Sequence, residues 1–252
     1  MPFAALMYHS LSDGRFPDTQ HLKYTTTRAR FDEHLRLLLG EGFQLDSVAG
    51  LQARIAAREA VPPRYCVLTF DDGHRSSLDL AEVLARHGVS ATFFATMKYC
   101  RELPDFLRES ELREMASAGF DFGTHGVTHR ALAHLPREQM REELATSKAW
   151  LEDLLGKRVE SMSLPAGEGD AEVYRRAFAA GYRLVANSRE RMNESSAVLS
   201  TLNRFVVLAH CDQRLLRRLA TGDPGYIWRR RLRAAALALP KKFLRSYDAT
   251  RS

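Results

Sequence analysis

Two short segments carry the residues whose types and spacing could do chemistry. In the first, the apolar run Tyr65–Phe70 leads into Asp71, Asp72 and Gly73. Neighbouring residues at a strand end point in opposite directions, so one carboxylate can ligate a metal while the other stays free as a base. Alone, such a pair is more often a turn or a helix cap. In the second segment, Gly123 and Thr124 precede His125, and His129 follows four positions later. On a helical turn that spacing puts both imidazoles on one face, close enough to share an ion. Alone this too is commonly a surface or capping feature. Together, two histidines and one aspartate form a donor set that leaves a coordination position open for water and substrate. Zinc is the first choice for these donors, and nickel, cobalt and iron suit them as well.

A hydrolase built on such a site needs a proton donor for its leaving group. His9 follows the apolar stretch Leu6–Tyr8, and His210 follows Val206–Ala209, so both stand just after apparent strands. His21, His34, His74, His87 and His134 read as exposed or internally satisfied side chains; His74, directly after the Asp-Asp-Gly turn, is the nearest to an exception. Cys66 reads as an inert core residue, and Cys66, Cys100 and Cys211 form no paired spacing that would suggest a disulfide framework or a structural zinc cluster.

The elements that must position these residues follow from hydrophobic patterning. Short runs rich in β-branched and aromatic residues predict strands over Phe3–Tyr8, Phe43–Leu45, Tyr65–Phe70, Ala91–Ala95, Phe120–Gly123, Ser161–Leu164, Tyr182–Ala186 and Arg204–Ala209. Amphipathic stretches lie between them. Pro136 opens a long helix that Gly156 closes, and Asp170 caps another that ends at Gly181. This alternation predicts an α/β fold, a distorted (β/α) TIM-like barrel with seven or eight parallel strands, whose post-strand residues share one mouth. With no linker-like tract, one domain is expected over 1–223, followed by a basic amphipathic helical extension over 224–252.

The chain's 252 residues, 45% hydrophobic and 27% charged, have the balance of an ordinary globular protein. The net charge of +6 is concentrated towards the C-terminus, at Arg229, Arg230, Arg231, Arg233, Lys241, Lys242 and Arg245. That run lacks interleaved aromatics or a reading motif, which argues against nucleic acid as a partner. Trp228, Leu232, Ala235, Leu239 and Phe243 fall on one face of the same stretch, which allows packing on the barrel or peripheral contact with an anionic membrane surface. The first residues lack a basic region and a long apolar core, and no span suits a membrane crossing. The expectation is a cytoplasmic protein, peripheral at the inner face of the membrane if the basic helix binds there.

Leu68 to Gly73, followed by Gly123 to His129, resembles the polysaccharide deacetylase family, also described by NodB homology and as carbohydrate esterase family 4. The likeness runs from about Leu6 to Tyr182. It implies a distorted (β/α) barrel, Asp71 as general base, and Asp72, His125 and His129 as ligands of a zinc-like ion. The family's third motif is matched imperfectly by Ser163, Leu164, Pro165, Ala166 and Gly167. Ser163 stands where the family has an arginine that orients the base. The backbone amide of Ala166, next to Pro165, can still serve an oxyanion. The arginine's work would fall to Arg204 or Arg75, or Asp71 is held in another way. The Met7, Tyr8, His9 opening resembles the circularly permuted members, and this favours His9 over His210 as the acid. The activity implied is removal of an N-acetyl group from an amino sugar in a polysaccharide, an oligosaccharide or a lipid-linked glycan. The readings to weigh against it are a deformylase or imide hydrolase on another C–N bond, and a catalytically silent glycan-binding module.

Overall fold

The computed structural model describes residues 1–196 and 199–229. Its frame is the expected distorted barrel. The first strand, Pro2–Tyr8, pairs in parallel with Tyr65–Phe70, placing Leu6 opposite Leu68 and Tyr8 opposite Phe70. Parallel pairing then passes through Thr92–Ala95, Asp121–Thr124, Ser161–Ser163, Leu184–Asn187 and Thr201–Asn203. The next two residues of strand, Phe205–Val206, pair with Pro2–Tyr8, Leu6 lying opposite Phe205. Between these two pairings stands Arg204, so one split strand closes the ring.

The strand predicted over Arg204–Ala209 is therefore corrected to two short pieces on either side of Arg204. A change of partner interrupts the ladder at that residue. Beyond it Val207 still bonds the Met7 carbonyl at 2.9 Å, but Leu208 to Cys211 turn away. Patterning also gave no sign of three two-residue strands: Ser10–Leu11 paired with Thr25–Thr26, and Asn193–Glu194, antiparallel to the start of the first strand. Gln44–Asp46 adds a further parallel strand beside the lower half of Tyr65–Phe70.

Side chains alternate across each strand, and the alternation separates two cores. Ala4, Leu6, Tyr8, Cys66, Leu68, Phe70 and Phe93 face the outer helices. Phe3, Ala5, Tyr65, Val67, Phe94 and Leu202 fill the barrel. Extending the inward parity by one step beyond each strand brings residues 9, 71, 125 and 204 to the inside of one mouth, where Ser163 ends its own strand with the same inward parity. The interior there is tight: a Cβ on Gly123 would lie 2.5 Å from Phe94 Cε1.

Helix ends follow the expected grammar. Arg137–Leu155 ends on Gly156 in the left-handed conformation, and Asp170 accepts the Val173 amide to start Ala171–Ala179. Helix Ser77–Arg86 carries Asp79, which is fully buried and bonds Arg15 and Arg28 at 2.9 and 3.0 Å. Those bonds tie down the long connection after the first strand. No helix among the described residues is long and apolar enough to cross a membrane. Residues 224–229 are helical, and the rest of the basic extension expected over 224–252 lies outside the described residues.

Candidate metal centre and catalytic cleft

At the mouth, one oxygen of Asp72 and one ring nitrogen each of His125 and His129 lie within 4.8 Å of one another. Asp72 Oδ1 is 3.3 Å from His125 Nε2 and 3.1 Å from His129 Nε2, yet this buried oxygen makes no properly aligned hydrogen bond among the described residues. Three donors converging on one point without bonding each other are what a divalent ion requires, so the residues present fit a His2Asp centre.

Local backbone explains the convergence. Asp72 and Gly73 both take positive φ, 75° and 80°, which turns the chain sharply after the buried strand. His129 also has positive φ, 60°, a costly conformation outside glycine that the surrounding bonds must hold. The holder is Glu143, on the long helix: its Oε2 accepts the Val127 and Thr128 amides at 2.6 and 3.0 Å, and Oε1 accepts the Thr128 hydroxyl. Gly126, at φ 77°, leaves room for that carboxylate, since a Cβ there would stand 2.9 Å from Glu143 Oε2. The two histidines thus share a site through a braced loop, not through a regular helical turn. His125 Nδ1 donates to the Ser163 carbonyl at 2.9 Å, which leaves Nε2 free as a ligand atom.

Asp71 points inward and is 3% exposed. Arg204, wholly buried, meets it with two nearly parallel bonds, Nη1 to Oδ1 at 2.7 Å and Nη2 to Oδ2 at 2.8 Å. The other donors of Arg204 reach the Thr69 hydroxyl, the Asn187 carbonyl and the Ser163 hydroxyl, so each of its five N–H groups is used. Ser163 in turn donates to Asp71 Oδ2 at 2.9 Å. Burial alone would raise the Asp71 pKa, but the Arg204 charge and its bonds outweigh it and hold the group below the ordinary carboxylate range. Arg75 is engaged elsewhere, with Glu111 at 2.7 Å.

His9 lines the same cleft, and its Nδ1 is buried with no hydrogen-bond partner among the described residues. Burial lowers its pKa, against the opposing pull of the nearby Asp72 and Asp71 carboxylates. His210 is exposed on the turn beyond the split strand and is not among the cleft residues, so the structure does not bring it together with Asp71 and the ligand residues. Ala166 lines the cleft in the left-handed conformation, at φ 61°, while Pro165 is buried beneath and packs toward Gly126.

The cleft has a volume of about 310 Å³ and also includes His21, Tyr24 and Tyr99. Tyr24 lies 4.8 Å from the His9 ring and Tyr99 5.5 Å from the His129 ring. Sequence reasoning missed these three and Glu143. His21 and Tyr24 sit on a connection whose path depends on tertiary bonds, Tyr99 sits on the short helix Met97–Glu102, and a glutamate within a helix gives no sign of facing a loop. His34 and His74 are buried and internally bonded, and burial pushes the Cys66 thiol up, as an inert core residue requires.

With this geometry in place, likeness to known proteins can be weighed. The family model described as polysaccharide deacetylase matches residues 58–185. The putative polysaccharide deacetylase YxkH of Bacillus subtilis (strain 168) is 29% identical over 182 residues, 71% of this chain and 62% of that protein. A chitooligosaccharide deacetylase of Azorhizobium caulinodans is 29% identical over 113 residues, 44% of this chain and 50% of that one. The matches thus span less than two-thirds of these curated relatives. Among solved structures, the Streptococcus pyogenes deacetylase PplD in complex with acetate superposes with a TM-score of 0.77 at 21% identity, covering 87% of this chain and 98% of that one. At that identity the likeness is one of fold, and it is the family match across half the sequence, enclosing both chemical segments, by which this chain belongs to the polysaccharide deacetylase family.

Proposed function

We propose that the protein is a divalent-metal-dependent hydrolase that removes the N-acetyl group from an amino sugar of a polysaccharide, oligosaccharide or lipid-linked glycan. The observation that carries this reading is the Asp72, His125 and His129 donor set beside a buried carboxylate fixed by Arg204. Family membership and the chitooligosaccharide deacetylases among the relatives support the substrate class. Asp72, His125 and His129 would hold the ion, zinc by ligand type with nickel, cobalt or iron as alternatives; when bound it polarises an amide carbonyl and acidifies water.

The chain's own groups supply the rest. Asp71, kept ionised by Arg204, accepts the proton of the attacking water. The backbone amide of Ala166 donates to the oxyanion that forms on the acyl carbon. His9, in its protonated form, delivers its proton to the departing nitrogen so that an amine and acetate leave, and the proton that Asp71 took from water then restores it. The Arg204 pair supports turnover over a silent glycan-binding module, because the base retains an arginine despite Ser163. The basic segment from residue 229 supports a cytoplasmic protein peripheral to an anionic membrane, with no role for nucleic acid. Sedimentation with acidic liposomes, lost when Arg229, Arg230 and Arg231 become Glu, tests that placement.

The activity is tested by elemental analysis of the reconstituted protein together with a product screen over N-acetylated oligosaccharides. Acetate release with one bound ion per chain is expected. Formate release from formylated substrates would move the protein to the deformylase reading, and bound metal with no product would make it a binding module.

A further inference from the structure

The connection between the first strand and helix Arg28–Gly40 forms one wall of the catalytic cleft, through His21 and Tyr24. From Ser12 to Tyr24 its one buried residue is Asp18, so no apolar side chain of its own is sunk in a core. A segment with so little apolar burial keeps its place mainly through polar bonds. Where those bonds end decides where the wall stands.

Several of them end on one helix. Ser76, Asp79 and Glu82 stand at three-residue steps along the start of Ser77–Arg86, a spacing that gives them a common face. The Leu11 amide donates to Ser76 Oγ at 2.9 Å. Asp79 is wholly buried; its Oδ2 accepts the Arg15 amide at 3.0 Å, and its Oδ1 accepts Arg15 Nε at 2.9 Å and Arg28 Nη1 at 3.0 Å. Glu82 takes a further arm of each arginine, Arg15 Nη2 at 2.6 Å and Arg28 Nη2 at 2.8 Å. Gly14, at φ 99°, bends the chain over the buried carboxylate, where a Cβ would stand 2.9 Å from Asp79 Oδ2.

Arg15 and Arg28 bracket the wall, so a single carboxylate clamps both of its ends. The helix that bears this carboxylate begins just beyond the Asp71–Gly73 turn, which refers base, metal ligand and wall to one rigid element. Arg15, Arg28, Asp79 and Glu82 do not line the cleft, so they hold the wall without meeting substrate. A buried ion pair is a weak source of stability and is better suited to fixing one arrangement of the groups around it.

We propose that Asp79 is a positioning residue of the hydrolase. By clamping Arg15 and Arg28 it sets His21 and Tyr24, whose ring lies 4.8 Å from that of His9, against the metal centre, and it thereby governs capture of the substrate and not the chemical step. This rests on the deacetylase reading and adds to it a residue outside the cleft that acts through a cleft wall.

The experiment measures acetate release from the N-acetylglucosamine trimer by the metal-loaded wild type, by Asp79→Asn, Arg15→Met and Tyr24→Ala, and by each clamp variant combined with Tyr24→Ala. Asp79→Asn and Arg15→Met should each raise KM at least about fivefold with kcat within about threefold of the wild type, because the wall binds substrate without serving the reacting amide. Tyr24→Ala should raise KM likewise. Each double variant should be no worse than its worse single member, since the clamp acts through the wall; a clamp that only stabilised the fold would add its effect in full. An unchanged KM in a folded clamp variant, a loss confined to kcat, or full additivity would overturn the proposal. Thermal melts identify an Asp79→Asn protein that fails to fold, and Arg15→Met, altered at a half-exposed side chain, then decides. Should the wild type release no acetate, the deacetylase reading falls, and calorimetric affinity for the trimer takes the place of KM. Weaker binding in the clamp variants, not additive with Tyr24→Ala, supports the clamp, and equal or absent binding overturns it.

Discussion

Arg204 grips both oxygens of Asp71, at 2.7 and 2.8 Å, from the point where one strand gives up its pairing with Leu184–Asn187 and takes up Pro2–Tyr8. Removing the guanidinium leaves a buried, uncompensated carboxylate, so Arg204→Met should cost about 3–5 kcal/mol of stability along with turnover. Adding Asp71→Asn should recover much of that stability but none of the activity. Urea midpoints of the two variants check this, and a double variant no more stable than the single one would show that the pair does not matter in this way.

Asp71→Asn and His125→Ala should part company. The first should abolish turnover while the protein still takes up one ion on reconstitution, because Asp71 is assigned to the proton and not to the metal. The second should lose ion and turnover together, having deleted a ligand atom. Metal content by elemental analysis, measured beside acetate release, separates them; full activity in either would undo the assignment.

Glu143→Ala should act at a distance. Its carboxylate bonds the Val127 and Thr128 amides and so keeps His129 in a left-handed conformation. Losing that brace should weaken metal affinity by about 10–100-fold, with activity restored in part at high metal concentration. Competition against a chelator gives the affinity directly.

For the proton donor, His9→Ala should lower kcat by about 10²–10⁴-fold, the usual worth of a general acid. His210→Ala should leave it unchanged, since that ring is exposed and away from the cleft. Equal losses in the two variants would reinstate His210.

Acid stability should carry the mark of His34. Burial lowers its pKa, and its ring is locked neutral, Nε2 donating to the Cys211 carbonyl and Nδ1 accepting from Tyr8, each at 3.1 Å. Above the unfolded value of about 6.5 neither state binds the proton, and stability is full. Below it only the unfolded chain does, so stability falls with pH by up to about 1.4 kcal/mol per unit until the folded pKa is reached. His34→Gln should flatten that decline. Denaturant midpoints from about pH 7 to about pH 5 measure it, and an unchanged slope would assign the loss to other groups.

How much of this was legible beforehand varied with the range of the cause. Tyr65–Phe70 declared itself through a continuous apolar run, and Gly156 and Asp170 through cap chemistry, because those signals lie within a few residues. The ligand residues showed in their spacing against strand ends. Arg204 could be named only as one alternative to Arg75, since the choice rests on a seam joining residues far apart in sequence. The predicted run over Arg204–Ala209 failed at that same seam, where apolar residues serve the outer helices instead of a longer strand. His21 looked idle because nothing local reveals that Asp18 turns its loop over the cleft.

The split strand has a wider consequence. A closed ring has neither a first nor a last member, so order along the polypeptide is free to differ from order around the mouth. Pro2–Tyr8 lies between the strand that delivers Asp71 and the strand that delivers Arg204. His9 is thereby a neighbour of groups contributed some sixty residues and nearly two hundred residues further along the sequence. Genetic rearrangement can move a chemical group from tail to head of such a sequence without moving it in space.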